Sequence, residues 1–278
     1  MPFSERRSRA WLCCFAVVVG CSGTYTAASS DAGLADGAPK GDGGEDRSFS
    51  EASIDASADA GPPRVTPCSS AHLFCDDFDD AGPDLAMRWD ERDDTAGTLV
   101  RSLVSVSAPY ALGVDVGTVP KDGDTSITKA VDVPAGDTRI ELDLRFTPAT
   151  TFGANSVIVP LVVQAFPAAP GAQFQQFAVA LAPTGASLEY FSYLQDGGSA
   201  YRSNPLIFPE DVFRHMTMTI TTANGQVTAT VRIGSNGPVP ISYAGVRPTK
   251  LRISAGVPFA RNVTGGSVVI DNVIVDSL

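Results

Sequence analysis

From Leu73 onward, apolar and polar residues alternate with a period of two in short runs bounded by Gly, Pro, Asn or Asp. That is the pattern of strands with one face on a core. It predicts strands at Leu99–Val106, Ala111–Val116, Ser126–Val133, Arg139–Thr147, Gln175–Leu181, Ser187–Leu194, Lys250–Val257 and Ser267–Val275. Arg139–Thr147 alternates most cleanly, with Ile140, Leu142, Leu144 and Phe146 on one side and Glu141, Asp143 and Arg145 on the other. Val157–Phe166 is apolar almost throughout, as expected of a strand covered on both faces. His215–Thr222 and Gln226–Ile233 flank Asn224-Gly225, a pair suited to the positive φ angles of a type I′ hairpin turn. Ala182-Pro183-Thr184-Gly185 and Asp122-Gly123-Asp124 read as turns. No stretch sustains a helical period, although Pro83–Arg88 and Pro209–Phe213 have room for a single turn.

A dozen or more strands with no internal linker point to one all-β domain, a two-sheet antiparallel sandwich. The stretch Cys68–Trp89 opens it and Gly266–Asp276 closes it, and the two are expected to lie side by side. A domain of this length buries roughly 70% of its unfolded surface, enough to be stable without a cofactor.

Composition changes this picture little. Gly 26, Pro 20 and a charged fraction of 18% fit an all-β chain rich in turns. A formal charge of −11 argues against a nucleic-acid partner, which calls for a basic face. Part of the charge is local, because residues 22–67 carry a net −5.

The N-terminus changes it more. Arg6, Arg7 and Arg9 precede the apolar run Ala10–Val19, too short to span a bilayer but suited to a secretory signal over residues 1–20. Val18-Val19-Gly20-Cys21 resembles the bacterial lipobox, which implies cleavage after Gly20 and lipidation of Cys21; cleavage near Ala27-Ala28 is the alternative. Ser22 after the cysteine leans toward the outer membrane, so the expected location is the cell envelope, exported and lipid-anchored. The Ala-, Ser-, Asp- and Gly-rich segment from there to Pro67 buries too little to fold and reads as a disordered linker. Cys68 and Cys75 then remain as one even pair in an exported chain, which reads as a disulfide. A metal pair is the alternative, with only His72 nearby.

Phe74-Cys75-Asp76-Asp77-Phe78, then Trp89, then Ser107-Ala108-Pro109-Tyr110-Ala111-Leu112, with Val269-Ile270-Asp271-Asn272-Val273 at the end, resembles the concanavalin A-like lectin/glucanase and laminin G-like domains. The resemblance covers Leu73–Leu278 and implies a jelly-roll sandwich at residues 68–278. Phe213 stands where such domains often carry a Trp before His215. The resemblance also implies one structural Ca²⁺ where the first and last strands meet, held by Asp77, Asp79 and Asp271 with Asp76 beside them. A solvated acidic turn is the alternative. Its sugar-binding face implies aromatic and amide ligands, for which Gln175, Tyr190, Tyr193, Tyr201 and Arg202 are the candidates, with Gln176 and Glu189 beside them. Alternation puts Tyr190 and Tyr193 on opposite faces, so at most one lines a groove, and core packing is the competing role.

No catalytic set emerges. Glu141 and Asp143 superficially match the glucanase strand, but Arg145, Phe146 and Thr147 follow where a second carboxylate is needed, so both acids read as outward charges. His72 and His215 have no evident nucleophile in sequence context, and His215 reads as a surface or edge residue. The expected function is a membrane-anchored lectin-like domain that binds carbohydrate or a cell-surface protein without catalysis. Its alternatives are a polysaccharide-degrading enzyme of glucanase or lyase type with an atypical site, and a structural envelope module without a ligand.

Overall fold

The computed structural model describes residues 67–79, 84–148, 151–167, 174–182, 185–193, 199–208 and 211–278. The expected signal segment, the lipidation site Cys21 and the linker lie outside the described residues, as does the Pro183-Thr184 turn.

Among the described residues fifteen strands follow a short 3-10 turn at Pro67–Ser69. They are β1 (Phe74–Asp76), β2 (Glu91–Asp94), β3 (Gly97–Ser102), β4 (Ala111–Val116), β5 (Thr118–Asp132), β6 (Thr138–Thr147), β7 (Thr151–Pro167) and β8 (Gln175–Ala182). Then come β9 (Gly185–Tyr193), β10 (Ser199–Leu206), β11 (Arg214–Ala223), β12 (Gln226–Ile233), β13 (Val239–Ala244), β14 (Pro248–Thr264) and β15 (Ser267–Ser277). All pair antiparallel. Sheet I runs β13-β12-β11-β6-β15-β4-β3, with β1 added on β15; sheet II runs β10-β9-β8-β7-β14-β5-β2. Apolar residues of both sheets share one buried cluster, so the protein is an antiparallel jelly-roll sandwich.

The opening and closing strands do meet. Phe74 pairs with Val275 and Asp76 with Val273, while the first half of β15 pairs with β4 and its other edge with β6. The Asn224-Gly225 turn has both residues at positive φ, 52° and 70°, and Ala223 pairs with Gln226 across it. β7 is buried on both faces: Ile158, Leu161, Val163 and Ala165 join the main core, and Val157, Val159 and Val162 a second cluster with Ala178, Ala180 and Phe259.

Several expectations need correction. The strand expected over Leu99–Val106 ends at Ser102, because the next residues leave β4 and turn toward Asp271, which accepts hydrogen bonds from Val106 N and Ser107 N, both 2.8 Å. Asp122-Gly123-Asp124 is no turn but part of β5, where Asp122 pairs with Arg261 and Gly123 with Ala260. β2, β10 and β13 had no prediction; all three are edge strands, β2 and β10 are largely exposed and carry little alternation, and β13 is a short strand with only Ile241 and Tyr243 in the core. His215 is exposed, but β11 lies between β6 and β12 and is not an edge.

Cys68 and Cys75 are bridged, with Cα atoms 5.5 Å apart. Below the bridge, the buried Asp76 organises the opening stretch. Its Oδ1 accepts from Phe78 N at 3.0 Å and its Oδ2 from Trp89 Nε1 at 2.7 Å. The first bond holds Phe78 in a left-handed conformation (φ 58°), costly for a non-glycine residue, and its ring lies parallel to Trp89 at 6.3 Å. Burial raises the Asp76 pKa, against the pull of those two hydrogen bonds. Trp89→Phe keeps an aromatic ring but orphans one buried oxygen, so chemical denaturation should show a loss of about 1–3 kcal/mol from that oxygen alone.

Candidate functional site

Strand parity decides which side chains of sheet II face away from the core. Phe177, Leu188, Tyr190, Leu251 and Ile253 point inward and are buried. Their neighbours Gln176, Glu189, Phe191 and Arg252 therefore point outward. The registers Tyr201↔Phe191, Phe191↔Gln176, Gln176↔Gln164 and Gln164↔Arg252 set these five side chains in one row across β10, β9, β8, β7 and β14. Neighbouring strands lie ~4.8 Å apart, so the row is about 19 Å long.

The row is internally ordered. The Phe191 and Tyr201 rings are 4.8 Å apart, and Gln164 Nε2 donates to Gln176 Oε1 at 3.2 Å. Tyr201 O–H donates to Glu189 Oε1 at 3.1 Å, and Ser187 Oγ donates to the same oxygen. Burial pushes the Glu189 carboxyl up, against those two hydrogen bonds. One pair further along, Phe166 lies against Phe174 at 5.3 Å and registers with Lys250. Phe166 and Thr128 line a cleft of about 220 Å³ whose rim carries Asp90, Glu91, Lys250 and Arg252. Arg252 is ion-paired with Glu91, and Lys250 lies 3.8 Å from Asp132. Hydrogen bonds from Ala130 N and Lys129 Nζ hold Asp90 below its ordinary value.

Beside this row, Ala178, Ala180 and Val162 carry only small or compact side chains and are buried in the second cluster. Asp124 shares the outward parity of β5 with Ser126 and Thr128. Burial raises its pKa to about 7, opposed by the 2.6 Å bond from Ser126 Oγ and reinforced by the Asp93 charge.

Of the five side chains expected to bind a ligand, Tyr201 lies in the outward row. Tyr190 does not: it is 4% exposed and stacks on Tyr243 of the opposite sheet at 4.8 Å. Gln175 shares the inward parity of Phe177 and reaches Gly245, where an added Cβ would lie 3.3 Å from its Nε2. Arg202 donates to Ser242 O at 2.7 Å, tying β10 to β13 across the sandwich edge. The Tyr193 side chain lies outside the described residues. Sequence reasoning missed Phe191, Gln164, Phe166, Lys250 and Arg252. Gln164 carried the clearest signal, as the one polar residue in the apolar run Val157–Phe166.

The acidic residues near the strand junction serve the chain's own groups. Asp271, fully buried, accepts from Val106 N, Ser107 N, Ser107 Oγ and Asn272 N. Burial raises its pKa against these bonds. Asp79 accepts from Tyr110 N at 3.0 Å, and Asp77 from Asp79 N at 3.4 Å. Among the described residues no three His, Cys, Asp or Glu side chains are grouped so as to hold a metal ion. On sheet I, Glu141 pairs with Arg139 at 2.9 Å, and Asp143 accepts from Asn272 Nδ2 at 2.8 Å and meets His215 at 3.2 Å. These acids face outward, and the hydrogen bond to Asp143 is what chiefly raises the His215 pKa.

No protein-family model matches the chain, and no curated protein matches it either. Solved structures with a similar course of strands include the cellulose induced protein Cip1, at 15% identity and TM-score 0.48, covering 74% of this chain and 97% of that one. An alginate lyase from Klebsiella pneumoniae matches at 12% identity and TM-score 0.41, over 67% of this chain and 85% of that one. The Lotus tetragonolobus seed lectin matches at 10% identity and TM-score 0.40, over 68% and 95%. What this chain binds has to be argued from its own side chains.

Asp124 gives the face a pH dependence. A carboxyl raised from 3.8 to about 7 favours folding fully below its unfolded pKa, and that contribution is lost as pH rises through about 7. Asp124→Asn cannot ionise, so its melting temperature should gain on the parent's as pH rises from about 4 to about 7, measured by calorimetry at matched ionic strength.

Proposed function

We propose that the protein is an exported, lipid-anchored module that binds carbohydrate along the outward row of sheet II. The observation that carries this reading is the row itself: two touching aromatic rings, two amides and a guanidinium in register across five strands. Ring faces stack on the C–H surfaces of sugars. Amides both donate and accept, which suits hydroxyl groups that do the same. A row about 19 Å long suits a short oligosaccharide better than a single ring. Arg252 and Lys250 at one end add donors for hydroxyl or carboxylate groups. The anchor at Cys21 and the acidic linker would hold this face away from the membrane, roughly 35–40 Å for a flexible coil of that length.

A second reading, a structural envelope module without a ligand, draws on the buried Ala178, Ala180 and Val162 beside the row. An array of plant and bacterial glycans, probed with the full chain with and without Ca²⁺, separates the two. Binding to a defined glycan should fall about fivefold or more in Tyr201→Ala and Gln176→Ala and stay unchanged in Thr219→Ala on sheet I, the loss typical of a contact worth more than about 1 kcal/mol. A flat response to every glycan favours the structural module. Anchoring is read separately: Cys21→Ser should move the exported chain from the membrane fraction to the soluble fraction.

A further inference from the structure

On the far side of the sandwich, at the C-terminal end of β15, three side chains form a chain of hydrogen bonds that the glycan reading does not use. Ser70 Oγ lies 2.7 Å from His72 Nε2, and His72 Nδ1 lies 2.6 Å from Asp276 Oδ1. The Cys68–Cys75 bridge closes a loop around Ser70 and His72, and Leu73 N–H donates to Val275 O at 2.9 Å, which fixes that loop beside β15. Arg139 of β6 donates to the other oxygen of Asp276 at 3.1 Å. The His72 and Asp276 side chains are 12% and 17% exposed, whereas Ser70 is open to solvent.

The partners dictate the protonation pattern. Burial pushes Asp276 up, but hydrogen bonds and charge from His72 and Arg139 outweigh it and hold the carboxyl below its ordinary value, so it is an anion that can only accept. Nδ1 of His72 therefore carries a proton toward that carboxylate, and whenever the ring is neutral Nε2 is an acceptor. In that form the Ser70 hydroxyl is the donor of the 2.7 Å bond to Nε2. A nucleophile, a base within reach of its proton, and a third group orienting that base are the parts of an activated serine.

We propose that Ser70 is a base-activated nucleophile that accepts acyl groups from small, unhindered esters reaching it from solvent. Ser70 Oγ bonds to the ester carbonyl carbon as its proton passes to His72 Nε2. Collapse expels the alcohol, which takes that proton. Water then attacks the seryl ester with the same assistance, releases the acid and restores Ser70. Asp276 is a positioning residue. The proposal is independent of glycan binding, which lies on the other sheet.

The test is covalent labelling of the full chain with a fluorophosphonate, in which Oγ bonds to phosphorus and HF leaves, read by peptide mass spectrometry. The expected result is a label on Ser70 well above that on exposed Ser235, absent in Ser70→Ala. General-base assistance is worth roughly 10²–10⁴-fold, so His72→Gln should slow labelling by that order. The rate should fall as acid protonates His72, whose charged surroundings are Asp276 on β15 and Arg139 and Glu141 on β6. Asp276→Asn should shift that pH profile, and a melting curve shows whether the variant is folded. Labelling of Ser70 no faster than of Ser235, or a rate indifferent to His72→Gln in a folded protein, would overturn the proposal and leave the three residues as a staple for the disulfide loop.

Discussion

The constraint on which the rest of this structure depends is that β15 is bonded along both edges. β6 runs beside it on one side; β4 and then β1 occupy the other in turn. The last strand made is thus an interior strand of sheet I, and the sheet cannot be completed until both ends of the domain are present. The changeover from β4 to β1 coincides with a register shift against β6 between Asp271 and Ile274, and with Asn272 at φ 52°. A bulge of this kind re-aims a side chain, and here it brings Asn272 onto Asp143. Asp271 sits in the bulge without exposure, and hydrogen bonds from the Val106–Ser107 segment stabilise its burial.

Buried or half-buried acids recur as attachment points for irregular backbone. Asp76 holds Phe78 and Trp89, Asp79 holds Tyr110, and Asp271 holds the approach to β4. Each fixes a stretch that no sheet ladder reaches, and each costs burial of a carboxylate that only its donors offset.

Sheet II puts the same period-two logic to another use. Its inner face is apolar and continuous with sheet I, while its outer face divides into a second buried apolar cluster and a row of rings, amides and charges. Both faces of β7 are therefore buried from Ser156 to Val163, and Gln164 is the polar residue that interrupts the apolar run Val157–Phe166. A shift of one residue along any of these strands exchanges the two sets.

Alternation, turn chemistry and an even thiol count are short-range, and from them the fold class, the Asn224-Gly225 hairpin and the pairing of Cys68 with Cys75 were legible in the residues alone. That the first and last stretches lie side by side was an expectation of another kind, because the contact spans the whole domain. The edge strands β2 and β10 escaped because exposed edges need little apolar face, and β13 because its two core residues, Ile241 and Tyr243, are too short a run to stand out. Tyr190 shares its strand face with the apolar Leu188 and turns inward, whereas Tyr201 stands among Ala200, Arg202 and Ser203 on an edge strand and turns outward. The tertiary structure alone decided that Tyr190 stacks on Tyr243, that Phe191 and Gln164 share a row, and that Asp276 comes to His72 from 204 residues away. Strand register across a closed sandwich sets those distances, and register is a property of all the strands together.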